Sequence, residues 1–158
     1  MKMLLGQITG FLNTIDGWAD ETAVESAPRP GLHVITIKKG KFTYMDQYGG
    51  GEPFQGLETI WRGKRMVWMM SYRGKYTGKA EYSVFITFLK SALRFPPKTM
   101  PVRGPNKFTK EKFPGWSYKN ECNGSIGEFK GKEEIRLNGI KVYSAEYSGG
   151  LIDTRDDI

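Results

Sequence analysis

The chain has 158 residues, a net charge of +7, 39% hydrophobic and 13% aromatic residues, which fits one domain burying its own core and argues against disorder. One cysteine, Cys122, excludes an intramolecular disulfide framework, and one histidine, His33, leaves no Cys/His cluster at zinc-ligand spacing. The charge is uneven: residues 1–61 carry 5 Lys/Arg against 7 Asp/Glu, residues 62–132 carry 16 against 4, and residues 133–158 carry 3 against 6. The basic middle segment would attract nucleic acid, phosphate or an acidic ligand unless its lysines are simply solvated.

In chain order, Leu4, Leu5, Ile8, Phe11, Leu12, Ile15 and Trp18 recur at three- and four-residue intervals, predicting an amphipathic helix over about 3–18. Gln7, Thr9, Asn13 and Asp16 interrupt the apolar run, so neither a signal peptide nor a membrane span is expected, and a reducing cytoplasm is the expected setting. Residues 20–32 read as a connecting loop. Leu32 to Lys38 reads as a short edge strand carrying His33, joined through Lys39-Gly40 to a strand over 41–48.

A three-stranded meander follows: Phe42 to Tyr48, Phe54 to Ile60 and Met66 to Tyr72, with Gly49-Gly50-Gly51 as the looser connection. Gly63-Lys64 places Gly first, as a type II′ turn needs. Tyr82, Phe85, Ile86, Leu89, Ala92 and Leu93 predict a second helix over 80–95. Residues 96–114 hold five prolines and read as an irregular crossover. A second meander starts at Trp116 to Cys122, turns at Asn123-Gly124-Ser125, and ends with Lys141 to Tyr147 after Asn138-Gly139, the type I′ pair.

The two meanders match at an offset of 75: Phe54/Phe129, Gly56/Gly131, Glu58/Glu133, Ile60/Ile135, Val67/Val142, Tyr72/Tyr147 and Gly74/Gly149. The expected fold class is therefore α+β, with internally repeated helix-plus-antiparallel-meander units forming one curved sheet packed by two helices. A single domain spans 1–152 as two repeats, about 1–78 and 79–152, and 153–158 forms a fraying tail.

The triple glycine precedes a strand where phosphate loops precede a helix, and no nucleophile elbow is present, so no catalytic residue, cofactor or metal is assigned. Glu58 and Glu133 share strand faces with Phe and Ile, where a carboxylate must be paired or shift its pKa. With Asp46, Arg103 and the aromatic residues Tyr44, Trp68, Tyr72, Tyr118, Tyr143 and Tyr147, they are the candidate ligand-binding set, placed in a pocket between the repeats. The competing reading is that each glutamate only ties down its own repeat.

The succession Tyr44-x-Asp46-x-Tyr48-x-Gly50, Phe54-x-Gly56-x-Glu58, Val67-Trp68-x-Met70-x-Tyr72-x-Gly74, Pro101-Val102-Arg103-Gly104-Pro105 and Tyr147-Ser148-Gly149-Gly150 resembles the bacterial domain-of-unknown-function 5680 family. The chain departs from that pattern at Met70-Ser71-Tyr72, where the family has Met-Asn-Tyr. The resemblance implies a stand-alone protein or the C-terminal partner of a helix-turn-helix domain, and so an effector-sensing module. The leading expectation is a non-catalytic module binding a small organic or nucleotide-like molecule. The alternatives are a small enzyme using a carboxylate acid/base pair and a basic nucleic-acid-binding protein. Oligomeric state is left open.

Overall fold

Nine strands form one antiparallel sheet in the order β1-β2-β3-β4-β5-β9-β8-β7-β6 in the computed structural model, which describes residues 1–153. The strands are β1 (Val24–Arg29), β2 (Leu32–Lys39), β3 (Phe42–Gly49), β4 (Phe54–Arg62), β5 (Arg65–Tyr76), β6 (Lys107–Phe108), β7 (Trp116–Ser125), β8 (Glu128–Leu137) and β9 (Ile140–Leu151). Two helices, α1 (Lys2–Leu12) and α2 (Tyr82–Leu93), complete an α+β architecture with one curved sheet. No helix among the described residues is long and apolar enough to cross a membrane. Of the tail expected over 153–158, all but Asp153 lies outside the described residues.

α1 is shorter than its apolar periodicity predicts. Thr14 turns its hydroxyl back to the Phe11 carbonyl at 2.7 Å, and Gly17 adopts φ 55, which an α-helix cannot contain. The Asp20 carboxylate accepts from the Asp16 and Thr22 amides and ties Asp16–Thr22 into a tight loop around a 3-10 turn, Gly17–Ala19. Ile15 and Trp18 still face inward, Ile15 being only 6% exposed, so the apolar spacing outlasts the helix itself. The segment expected to be a loop over 20–32 contains β1. Every residue of β1 is exposed, so main-chain pairing with β2 forms it without an apolar alternation to signal it. His33 is therefore on an interior strand. The two-residue turn before β3 is Gly40-Lys41, one position later than expected, because Lys39 pairs with Phe42.

The two β-hairpin turns of the meanders fall where their residue types place them. Gly63 alone has positive φ in the first, while Asn138 and Gly139 both do in the second, at 49 and 80, as types II′ and I′ require. The connection expected at Asn123-Gly124-Ser125 lies instead at Ile126-Gly127, since β7 continues until Ser125 pairs with Glu128. Ile126 is 6% exposed, and burying it favours the longer hairpin.

β5 and β9 meet at the centre of the sheet, in a ladder running from Trp68↔Leu151 through Tyr72↔Tyr147 to Tyr76↔Tyr143. Bulges interrupt β4–β5 between Ile60 and Trp61 and β8–β9 between Ile135 and Arg136. Two apolar clusters form. One joins Ile8, Phe11 and Leu12 to Phe42, Ile60, Trp68 and Phe129, and the other joins Phe85, Phe88 and Leu89 to Trp116, Ile135 and Tyr143. Aromatic pairs knit each, with ring centroids 5.2 Å apart for Phe11–Phe42 and 5.5 Å for Phe88–Trp116. At the sheet margins, the β1–β2 register shifts between Ser26 and Arg29, around Pro28, and β6 covers only Tyr118 and Lys119 of β7.

Candidate functional site

Alternation along the strands points Tyr44, Asp46, Glu58, Tyr72, Tyr118, Asn120, Glu133, Tyr143 and Tyr147 to the buried side of the sheet. Asp46 and Glu58 are direct cross-strand partners, as are Asn120 and Glu133. Two glycines make room for the tyrosines. A Cβ on Gly56 would collide with the Tyr72 phenol, and one on Gly131 with the Tyr147 phenol.

Arg103 reaches this layer from the proline-rich segment between α2 and β6. Its own φ is 60, a strained conformation for a residue with a Cβ. Gly104 fixes it there: the Gly104 amide donates to the Tyr118 hydroxyl at 2.9 Å, and the Asn120 amide donates to the Gly104 carbonyl at 2.9 Å. A Cβ at position 104 would stand 2.7 Å from the Tyr118 ring, so only glycine brings the loop this close.

Glu133 is fully served. The Arg103 guanidinium grips both of its oxygens, and the Tyr118 and Tyr143 hydroxyls donate to them at 2.5 and 2.7 Å. Burial alone would raise its pKa, but the guanidinium and these hydrogen bonds outweigh burial and hold the carboxyl below its ordinary value. Asn120 is also served, since its Oδ1 accepts from the Tyr147 hydroxyl at 2.6 Å.

The set around Asp46 and Glu58 is not. Glu58, with a side chain 12% exposed, has Arg103 only at 3.9 Å. Burial, reinforced by the Asp46 charge and opposed by Arg103, pushes its carboxyl up to about 8. Asp46 is 1% exposed and accepts from the Tyr72 hydroxyl at 2.7 Å. Burial raises it to about 6 against that hydrogen bond and Arg103. Among the described residues the Tyr44 hydroxyl, on a residue 1% exposed, has no partner in good hydrogen-bond geometry, although it lies close enough to Glu58 to oppose the rise of that carboxyl. A protonated carboxyl beside an ionised one is a chemically active pair, able to donate a proton, to accept one, or to exchange it for a bound cation.

Two small cavities adjoin this set. One, about 90 Å³, is lined by Trp18, Asp46, Tyr48, Phe54, Tyr72, Tyr82, Phe85 and Arg103 among others. The second, about 50 Å³, is lined by Tyr44, Glu58, Trp68, Asp16 and, shared with the first, Trp18 and Arg103. The first has room for about three waters, far below the 300 Å³ or more of a typical ligand pocket. It can enclose a head group, whereas a nucleotide exceeds it.

Of the candidate residues, Tyr44, Asp46, Glu58, Tyr72 and Arg103 come together at these cavities. Glu133, Tyr118 and Tyr143 converge on the other side of Arg103, and Tyr147 lies apart on Asn120. Trp68 borders the smaller cavity, stacks on Phe129 at 5.6 Å and donates its indole N–H to the Ile126 carbonyl. The wall residues Trp18, Tyr48, Phe54, Tyr82 and Phe85 were not among the candidates. Trp18 and Phe85 carry the signal of helical apolar spacing, which reads equally as plain core.

The family model described as Domain of unknown function (DUF5680) matches residues 46–152. No curated protein and no solved structure matches the chain.

Proposed function

The chain belongs to the DUF5680 family, whose description assigns no activity, and we propose from the geometry that the protein is a non-catalytic small-ligand-binding module of the effector-sensing kind. The ligand's head group enters the aromatic cleft over Asp46. One observation carries this reading: among the described residues the buried Asp46 and Tyr44 and the mostly covered Glu58 lack sufficient partners, beside a cleft walled by Trp18, Tyr48, Phe54, Tyr82 and Phe85. Polar groups left open at the edge of an aromatic cavity are what a ligand completes. Thermal-shift screening of wild type and Ile86→Trp, which fills the cleft from α2, tests it. Compounds that raise the wild-type melting temperature should lose their effect in the variant. Shifts that persist in Ile86→Trp, or no shift from any compound, would refute the reading.

We also read the two halves as one repeated unit, each a helix packed on its own meander. The support is the correspondence of detail. Tyr72 donates to Asp46 as Tyr147 does to Asn120, Phe54–Tyr72 centroids are 6.1 Å apart and Phe129–Tyr147 6.2 Å, and the bulges fall at matching positions. On this reading the halves have diverged in one respect. The second half's polar set is closed by Arg103, and the first half's is left for a ligand.

A further inference from the structure

We infer that the ligand of this cleft is a small organic cation, an ammonium or guanidinium head group on a short apolar stem. The inference rests on the cleft being a ligand site, as proposed above, and adds the chemical class. Three carboxylates, the buried Asp46 and Glu133 and the mostly covered Glu58, share one guanidinium, that of Arg103, and Glu133 engages its fork. Buried charge has to be paired, so Asp46 and Glu58 are short of a positive partner. A proton fills that place when the cleft is empty, and a ligand cation would displace it. The Tyr44 hydroxyl, buried beside Glu58, keeps its oxygen lone pairs as a hydrogen-bond acceptor for an N–H group even when its own proton turns to Glu58.

The walls agree with the charge. Trp18, Tyr48, Phe54, Tyr82 and Phe85 present ring surface to the cleft, and aromatic faces attract cations and the short alkyl stem that carries them. An anion entering there would meet Asp46, and the Arg103 guanidinium that could attract it is already gripped by Glu133. Among the described residues no three His, Cys, Asp or Glu side chains converge as metal ligands, and the aromatic lining does not suit a hydrated ion. The volumes, about 90 and 50 Å³, fit a head group of a few heavy atoms.

Displacement balances as follows: the cation arrives, and one proton leaves the Asp46/Glu58 pair for solvent. The groups facing that pair are Asp16 from the loop after α1, Tyr44 and Tyr48 on β3, Tyr72 on β5, Glu133 on β8 and Arg103 from the loop before β6. Cation affinity should therefore rise with pH, by up to about tenfold per pH unit while the pair still holds a proton.

Calorimetric titration with butylammonium, benzylammonium and butylguanidinium, against butanol, benzyl alcohol and butyrate, tests the class. The cations should bind at least tenfold more tightly than the other probes at pH 8.5, release protons near pH 7, where the pair still holds one, in buffers of differing ionisation enthalpy, and weaken at pH 6. Asp46→Asn should erase the preference. That variant should fold, because the chain already holds a Tyr hydroxyl on an Asn in Tyr147–Asn120. Butanol, benzyl alcohol or butyrate binding as tightly as the cations, with Ile86→Trp blocking them, would overturn the cationic class and leave the cleft standing. If Asp46→Asn keeps full cation preference, the charge argument fails. No binding by any of the six probes would overturn the inference, and with no shift in the wider screen the cleft reading would fall too.

Discussion

Glu58→Gln and Glu133→Gln should change stability in opposite directions, although the two glutamates occupy matching positions on β4 and β8. Unfolded Glu58 gives up its proton near 4.5, whereas the folded carboxyl keeps it to about 8. Folding therefore takes up a proton between those values, and Glu58 lowers stability progressively as pH rises across that window, with no further loss above it. At 1.36 kcal/mol per pH unit the full effect is about 5 kcal/mol, and an effective interior dielectric near 20 reduces it to about 1–3 kcal/mol. Gln is neutral at every pH, so Glu58→Gln should be more stable than wild type at pH 8.5 by that amount and nearly equal to it at pH 5. Glu133 is the reverse case. Its carboxyl is held below 4.5, so its stabilisation is complete above that pH and is lost only in stronger acid. Glu133→Gln strands the buried Arg103 charge and should cost about 3–5 kcal/mol at both pH values. Urea unfolding of the three proteins at pH 5 and 8.5 gives the comparison. A Glu58→Gln protein less stable than wild type at pH 8.5 would show that Glu58 is a satisfied anion and refute the argument.

Tyr147→Phe should cost about 1–2 kcal/mol by leaving the buried Asn120 oxygen without its donor, measured by the same unfolding with no pH dependence between 5 and 8.5. Gly56→Ala and Gly131→Ala should each lose about 1–3 kcal/mol by crowding the tyrosine above them. Turning the tyrosine cannot relieve either clash, because the Gly131 Cβ also meets the Glu121 backbone oxygen at 2.7 Å and the Gly56 Cβ the Tyr48 Cβ at 2.9 Å. Residues 1–78 expressed alone should be insoluble or unfolded by circular dichroism, since β5 would lose the ladder from Trp68 to Tyr76 that β9 provides.

The strands of the two meanders were legible because their residues alternate and their turns need particular backbone angles, as at Gly63 and Asn138-Gly139. α1 was overextended because Ile15 and Trp18 keep helical spacing after the helix has ended at Leu12. β1 left no trace because an all-exposed strand has no pattern to read. At the site, the identities of Asp46, Glu58, Glu133 and Arg103 were readable. Their inequality was not: it depends on which carboxylate the Arg103 fork reaches, and that is set by the backbone at Gly104, held by Tyr118 and Asn120.

The margins of the sheet bear on how the protein behaves at high concentration. An open nine-stranded sheet has two free edges, each a template on which another chain could add a strand. On one side Pro28 lacks an N–H and sits where the β1–β2 pairing slips, so an incoming strand finds a broken row of donors. On the other side β6 is only two residues long, Lys107–Phe108, and leaves residues 121–125 of β7 as the open stretch of that edge. The long β5–β9 ladder is kept in the middle, where no second strand can pair with it. Self-association is thereby discouraged most at the β1 edge, where the pairing is broken at Pro28, and substitutions that regularise β1, Pro28→Val above all, should promote aggregation there.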